Sequence, residues 1–198
     1  MLGVIALVKG KKARILIYIM LLLIVLLGMG SYQYYQKVKK ESRQFDIFLN
    51  HLYFSVDHSI TKFNNILEKD PENGELDEAL RFLEQDLIKT HTIIEDARDL
   101  LDYEIPNTYF FYEITYILNG YDIKDTTDTA PMSEVGKLDE KETQILETYR
   151  DHLLDAKEAM YSAETLQENP ELSMNDVNEI IATYLTQSTE DIYRKSFR

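Results

Sequence analysis

The clearest structural signal in the sequence lies at residues 76–101, which read LDEALRFLEQDLIKTHTIIEDARDLL. Apolar or small residues recur there in alternating steps of four and three, the spacing of one face of an α-helix. The residues of this seam are Leu76, Leu80, Leu83, Leu87, Thr90, Ile94, Ala97 and Leu101. A heptad seam of this kind favours packing against neighbouring helices at a shallow crossing angle.

Helices are also predicted on both sides of the seam. Before it, residues 45–67 carry an apolar stripe at helical spacing, and Asn73-Gly74 forms the turn between the two helices. After it, Pro106 ends or kinks the helix, because proline disfavours the helical conformation in the residue before it. A short helix is then predicted over residues 107–118, with Asn119-Gly120 as its C-terminal cap.

The remainder of the chain predicts one long loop and two more helices. Residues 121–136 are polar and typical of a loop, whereas residues 138–167 again show helical spacing. Ser173 and Asp176 resemble the start of a last helix, because a serine side chain can cap free backbone N–H groups. The predicted fold is therefore all-α: an antiparallel up-and-down bundle of four long helices and one short one.

The apolar run at residues 15–30, ILIYIMLLLIVLLGMG, predicts a membrane-spanning helix. A span needs about 20 mainly apolar residues, and three tyrosines extend the run to residue 35 in the manner of an interfacial aromatic belt. The predicted organisation is a basic segment at 1–14, a transmembrane anchor or signal at 15–35, and an acidic extracytoplasmic bundle at 36–198. Lipid is thus one expected partner of the chain.

Two alternatives to a retained anchor with a cytoplasmic N-terminus stay open. Cleavage near Gly30 would release the domain as a secreted protein, since Gly28-Met29-Gly30 offers small residues for a signal peptidase. The other alternative is a reversed orientation. Both flanks of the span are basic, so the number of basic residues alone does not distinguish the two orientations. The basic residues are Lys9, Lys11, Lys12 and Arg14 before the span, and Lys37, Lys39, Lys40 and Arg43 after it.

Charge divides the chain sharply at its N-terminal end. Residues 1–43 hold eight basic and one acidic residue, a net charge of +7, whereas residues 44–198 hold 13 and 34, a net charge of −21. So negative a surface repels phosphates, which excludes nucleic acid as an expected partner. The chain also has no cysteine, which excludes disulfides and thiolate chemistry.

The histidines and acids offer weak candidates for a metal or ligand site. His152 falls on the apolar stripe of the fourth predicted helix, while His51 and His58 share one face of the first. A di-iron site needs Glu-x-x-His pairs, and no histidine here has an acid three residues before it. Asp122, Asp125 and Asp128 lack the spacing and central glycine of a calcium loop. No metal, cofactor or catalytic motif is therefore predicted, and the chain is not expected to be an enzyme.

A run of aromatic residues supplies the best interaction candidate. Neighbouring positions in a helix point about 100° apart, so consecutive aromatics cannot all face one core. Exposed tyrosine and phenylalanine are common interface anchors. The candidate interface residues are Tyr109, Phe110, Phe111, Tyr112 and Tyr116.

These patterns predict a membrane-anchored, extracytoplasmic helical protein of a bacterial envelope. Its expected role is that of a binding or accessory module for another envelope component. The alternative is a ligand- or metal-sensing domain that uses the bundle interior near His152.

Overall fold

A computed structural model describes residues 10–101, 103–120, 131–132 and 134–186 of the chain. These residues are mostly helical, which confirms the predicted all-α class. The helices are α1 (Lys11–Lys69), α2 (Gly74–Leu100), α3 (Phe110–Asn119), α4 (Glu140–Met160) and α5 (Met174–Ile180), followed by a π-helical turn at Ile181–Leu185. Two short strands, β1 (Tyr161–Ser162) and β2 (Gln167–Glu168), lie between α4 and α5.

The chain divides into two compact units, Met1–Arg43 and Gln44–Arg198. In the first unit, large apolar side chains of α1 are exposed, among them Leu23 and Leu27 at 52% and 70%. Helix α1 is long and apolar enough at its N-terminal end to cross a membrane, by length and composition. A signal sequence near the N-terminus would satisfy the same criteria.

The second unit is built around the predicted seam. All eight residues of the seam are buried, which confirms the helical spacing of residues 76–101. The stripe of α1 packs against the same core, with Leu52, Val56 and Phe63 fully buried. Burial of one apolar stripe per helix is the main source of stability for helices of this length.

A small polar cluster lies within the core between α1 and α2. The hydroxyls of Ser55 and Thr90 are 2.7 Å apart, and the hydroxyl of Ser59 donates to the backbone carbonyl of Ser55 at 3.1 Å. All three residues are buried. Since a buried hydroxyl without a partner is costly, these hydrogen bonds favour one register of α1 against α2.

Polar contacts also fix how α4 and its hairpin lie against α1. Lys157 Nζ lies 2.5 Å from Asp57 Oδ1 and 5.9 Å from the ring of Tyr53. Closer to the N-terminus of α1, Asn50 Nδ2 donates to Glu168 Oε1 at 2.7 Å. One of these contacts thus joins α1 to α4, and the other joins α1 to the hairpin that follows α4.

Helix α4 ends earlier than its periodicity predicts. The prediction of a helix to residue 167 is wrong, because α4 stops at Met160 and the chain reverses through β1 and β2. Met160 is fully buried, whereas Leu166 is 71% exposed, so Met160 rather than Leu166 completes the packing. The N–H of Asn169 donates to the carbonyl of Met160 at 2.7 Å, which satisfies an acceptor that the end of the helix would otherwise leave open.

Both helices that follow the long loop start with a side chain that caps the N-terminus. Asp139 and Glu142 form a capping box at the start of α4. Ser173 and Asp176 do the same for α5, which confirms the predicted start of the last helix. Hydrogen bonds from Ser173 lower the pKa of the exposed Asp176 carboxyl.

The Asp57–Lys157 pair makes the stability of the fold depend on pH. The hydrogen bond to Asp57 raises the pKa of Lys157, and burial raises the pKa of Tyr53 against the opposing effect of Lys157. A raised pKa means that the folded state holds the proton more tightly than the unfolded state. Both contributions are therefore complete below the ordinary Lys and Tyr values, about 10, and are lost as pH rises through the folded values.

We predict that Lys157→Met lowers the free energy of unfolding by about 1 kcal/mol near neutral pH, as expected for a partly buried ion pair. The difference from the wild-type chain should narrow as pH rises above the ordinary lysine pKa of about 10 and through the raised folded-state pKa, because Lys157 then loses its proton. Urea unfolding across this pH range, followed by circular dichroism, measures it. Lys137→Met, at an exposed lysine, is the control, and a Lys157→Met difference that stays constant at all pH values contradicts the prediction.

Candidate protein-interaction surface

Helix α3 has a buried face and an exposed face. Phe110, Phe111 and Ile114 are at most 1% exposed, so the two phenylalanines of the predicted interface belong to the core. Tyr109 and Tyr116, in contrast, are 63% and 60% exposed. This division is the one expected when neighbouring residues point about 100° apart on a helix.

Three of the predicted interface residues therefore share the exposed side of α3. Tyr109, Tyr112 and Tyr116 are separated by three and four positions, which places them on one face. Tyr112 is the least exposed of the three, at 38%. We call Tyr109, Tyr112 and Tyr116 the tyrosine face.

The buried face of α3 is held by aromatic packing. The rings of Phe110 and Phe111 meet edge to face, with centroids 5.3 Å apart, and Phe110 also lies 6.1 Å from the ring of Tyr149 on α4. Edge-to-face aromatic pairs add to the energy of simple burial. The side of α3 opposite the tyrosine face is therefore packed into the core.

His152, the histidine of the alternative sensing hypothesis, belongs to this same aromatic group. Its ring lies 5.5 Å from Phe110 and 6.1 Å from Tyr184. His51 and His58 are exposed on α1. In the part of the chain that the structure describes, no three His, Asp or Glu side chains are grouped so as to hold a metal ion.

Arg98 holds the extended segment that leads into α3. Its guanidinium donates to the backbone carbonyls of Ile105 at 3.1 Å and Pro106 at 2.8 Å. It also forms an ion pair with Glu95, one turn earlier on α2. Asn178 near the end of α5 donates to the carbonyl of Glu104 at 2.9 Å, so this segment is fixed from two helices.

His91 contacts the N-terminal end of α3, where the tyrosine face begins. It is buried, its Nδ1 lies 2.9 Å from the carbonyl oxygen of Thr108, and its ring meets that of Tyr112 edge-on at 4.4 Å. A carbonyl oxygen can only accept, so Nδ1 carries the proton in this hydrogen bond. Nε2 of His91 lies 3.9 Å from Glu95 Oε1, which brings a carboxylate beside the Tyr112 end of the face.

The other end of α3 is tied to α2 as well. Asn119 Nδ2 donates to Glu84 Oε1 at 2.8 Å, and Gly120 forms the predicted cap with a φ of 72°. Since His91 faces Tyr112 and Glu84 faces Asn119, α3 runs antiparallel to α2. Contacts at both ends hold the short helix along α2.

The spacing of the sequence identified the aromatic segment but not the side chains that support it. His91 lies four residues after Leu87 and three before Ile94, so its position beside the seam was a usable signal of burial. Glu95 and Arg98 have the three-residue spacing of a helical ion pair. Nothing in the sequence indicates that Arg98 binds the carbonyls of Ile105 and Pro106, because that contact depends on the path of the chain after α2.

Comparison with known proteins finds no match: no family model fits the chain, and no curated protein or solved structure is significantly similar to it. A function for this chain is therefore inferred from its own residues.

We predict that Arg98→Ala loosens the segment before α3 without unfolding the second unit. Loss of the hydrogen bonds to Ile105 and Pro106 should destabilise the chain by about 1.5–3 kcal/mol, the range for hydrogen bonds that involve a charged group. Backbone hydrogen exchange should accelerate in residues 103–112 and stay unchanged in α4. Lys89→Ala, at an exposed position of α2, is the control; exchange that is unchanged in residues 103–112, or faster everywhere, would show that Arg98 has no local clamping role.

Proposed function

We propose that this chain is a single-pass membrane protein whose acidic helical domain binds another component of a bacterial cell envelope. The tyrosine face carries the proposal. Three tyrosines on one side of a short helix expose a large aromatic area to solvent, although the other side of the same helix is fully packed. The chain acts as a binding or accessory module, and no catalytic step is assigned to it.

Tyrosine side chains suit binding because they lose little conformational entropy when a partner associates with them. A tyrosine side chain has two rotatable torsions, so it offers much contact area for little lost conformational entropy. The face is also pre-organised, because Phe110 anchors α3 from behind and His91 packs against Tyr112. Pre-organised aromatic anchors are typical hot spots of protein interfaces.

The N-terminal part of α1 supports the membrane assignment. Most of its apolar side chains between residues 15 and 35 are exposed. Their exposure to water would be unfavourable, whereas a lipid bilayer accommodates them. We assign the N-terminus to the cytoplasm and the acidic domain to the outside. Cleavage near Gly30 would give a secreted form with the same tyrosine face.

Pairwise contacts support an antiparallel up-and-down bundle for the domain. The contacts between α2 and α3 have an antiparallel order. The turn between α1 and α2 spans only residues 70–73, which favours antiparallel neighbours there too. In such a bundle the helices form a stable scaffold, and binding falls to exposed side chains.

The interface part of the proposal is tested by photo-crosslinking in the native membrane. We expect benzoylphenylalanine at position 109 or 116 to give an adduct of one defined mass. The same group at position 161, where the tyrosine is 41% exposed on β1, is the matched control and should not give it. The adduct from position 109 should fall about tenfold with Tyr116→Ala, as for loss of an interface hot spot.

Two results would contradict the proposed interface. The first is the same set of adducts from positions 109, 116 and 161, which would show only general proximity. The second is no adduct from positions 109 and 116 while the protein is folded and in the membrane, because the tyrosine face would then have no partner.

A further inference from the structure

We infer that the basic residues that follow the membrane span bind anionic phospholipid headgroups, so that the chain selects negatively charged lipid at that end of the span. This inference rests on the membrane assignment of the proposed function and adds the chemistry of the lipid partner. We call residues 37–43, with the sequence KVKKESR, the juxtamembrane segment.

The juxtamembrane segment is an exposed part of α1 with an excess of positive charge. It holds four basic residues and one acid, a net charge of +3. The helix continues through the segment without a break. The exposed basic side chains are those of Lys37, Lys39, Lys40 and Arg43. The positive charge therefore lies on the outside of a regular helix.

Three of the four cations are not engaged within the chain. Lys37 pairs with Glu41 at 3.3 Å, one turn further on. In the part of the chain that the structure describes, no ion pair or hydrogen bond involves the side chains of Lys39, Lys40 or Arg43. These three charges are thus available to an anionic group outside the chain.

The three free cations also share one side of α1. Lys39 and Lys40 stand four and three positions before Arg43, the separations at which helical side chains are neighbours. Like charges at these separations repel each other and destabilise a helix. A negatively charged surface beside them offsets this repulsion, which a neutral surface cannot do.

Helical geometry places these cations at the depth of the lipid headgroups. Residues 15–35 extend for about 31 Å along a helix that rises about 1.5 Å per residue, which matches a hydrocarbon core of about 30 Å. Tyr34 and Tyr35 at the end of this stretch are exposed, as in an interfacial aromatic belt. Lys39 and Lys40 follow Tyr35 by about 6–8 Å along the axis, which lies within the polar headgroup layer.

Membrane topology alone does not explain these residues. The positive-inside rule accounts for Lys and Arg on the cytoplasmic flank of a span, which is the N-terminal flank in the proposed orientation. Cations on the opposite flank run against that rule. Attraction to anionic headgroups gives them a separate role, since each Lys or Arg near an anionic surface strengthens association about fivefold.

The acidic part of the chain cannot be the source of a preference for anionic lipid. Residues 44–198 carry a net charge of −21, which repels an anionic surface. An acidic protein segment is the rival ligand for the free cations. It is disfavoured because Lys39 and Lys40 lie within the headgroup layer, where lipid phosphates are the nearest anions.

The test uses tryptophan fluorescence, because the chain has no tryptophan of its own. The full chain carrying Tyr35→Trp is reconstituted into phosphatidylcholine vesicles that contain a small fraction of a quenching lipid. The quencher is either phosphatidylglycerol or phosphatidylcholine, each with the same doxyl group on its acyl chain close to the headgroup. We expect the anionic quencher to be enriched about two- to fivefold over the zwitterionic one near position 35, and the excess to vanish in about 1 M salt.

Charge variants in the same background assign this excess to the juxtamembrane segment. The triple change Lys39→Gln, Lys40→Gln and Arg43→Gln should remove the excess quenching at position 35. Glu41→Gln should increase it, because Lys37 is then released from its ion pair. The zwitterionic quencher should still act in every variant, which shows that the variant is inserted in the bilayer.

The matched control removes three cations from the other flank of the span. Lys9→Gln, Lys11→Gln and Lys12→Gln together should leave the excess at position 35 unchanged. A second reporter near that flank, Tyr18→Trp, should keep its signal in the triple variant of the juxtamembrane segment. Each reporter senses the leaflet nearest to it, so the comparison holds whichever way the chain inserts.

Equal quenching by the two lipids at position 35 overturns the inference and leaves the free cations to an acidic protein segment. An excess that survives the triple change, or that Glu41→Gln lowers, overturns it as well. In these cases the proposed membrane span stands, because quenching by either lipid places position 35 at the bilayer. No quenching by either lipid overturns the span and the inference together.

Discussion

The buried seam of α2 is the interaction on which the second unit depends. Leu76, Leu83 and Leu87 are completely withdrawn from solvent, and the helices on either side of them in the chain meet this one stripe. Burial of apolar area drives this packing but is not directional. Direction comes from the polar contacts, such as the Ser55–Thr90 hydrogen bond and the Asp57–Lys157 pair, which fit one register only.

The same packing produces the candidate interaction surface. A ten-residue helix cannot be stable alone, so α3 depends on burying Phe110 and Phe111. Once those rings point inward, helical geometry places Tyr109, Tyr112 and Tyr116 on the outside. Support from α2 through His91, Arg98 and Glu84 then keeps that outward face in one position. The buried residues that stabilise α3 and the exposed residues proposed to bind a partner are thus neighbours in sequence.

How far the sequence predicts this structure depends on the range of the interactions involved. Helical spacing predicted the seam and the stripe of α1, and the capping residues Ser173 and Asp176 predicted the start of the last helix, because periodicity and caps are local. Spacing failed at the end of α4, where Ala163 and Leu166 continue the helical periodicity. The chain forms a hairpin there, and Glu168 of this hairpin accepts a hydrogen bond from Asn50, a residue far away in the sequence. Of the five predicted interface residues, two are core, since spacing cannot tell which face of α3 meets the rest of the unit.

The central claim is that a partner covers the tyrosine face in the native membrane. Nitration of tyrosines, mapped by mass spectrometry, tests it most directly when purified chain is compared with intact membranes. In the purified chain, Tyr109 and Tyr116 should react readily, and Tyr149, which is 1% exposed, should not. In native membranes Tyr109 and Tyr116 should become protected relative to Tyr161. Equal reactivity of Tyr109 and Tyr116 in both preparations would contradict the claim.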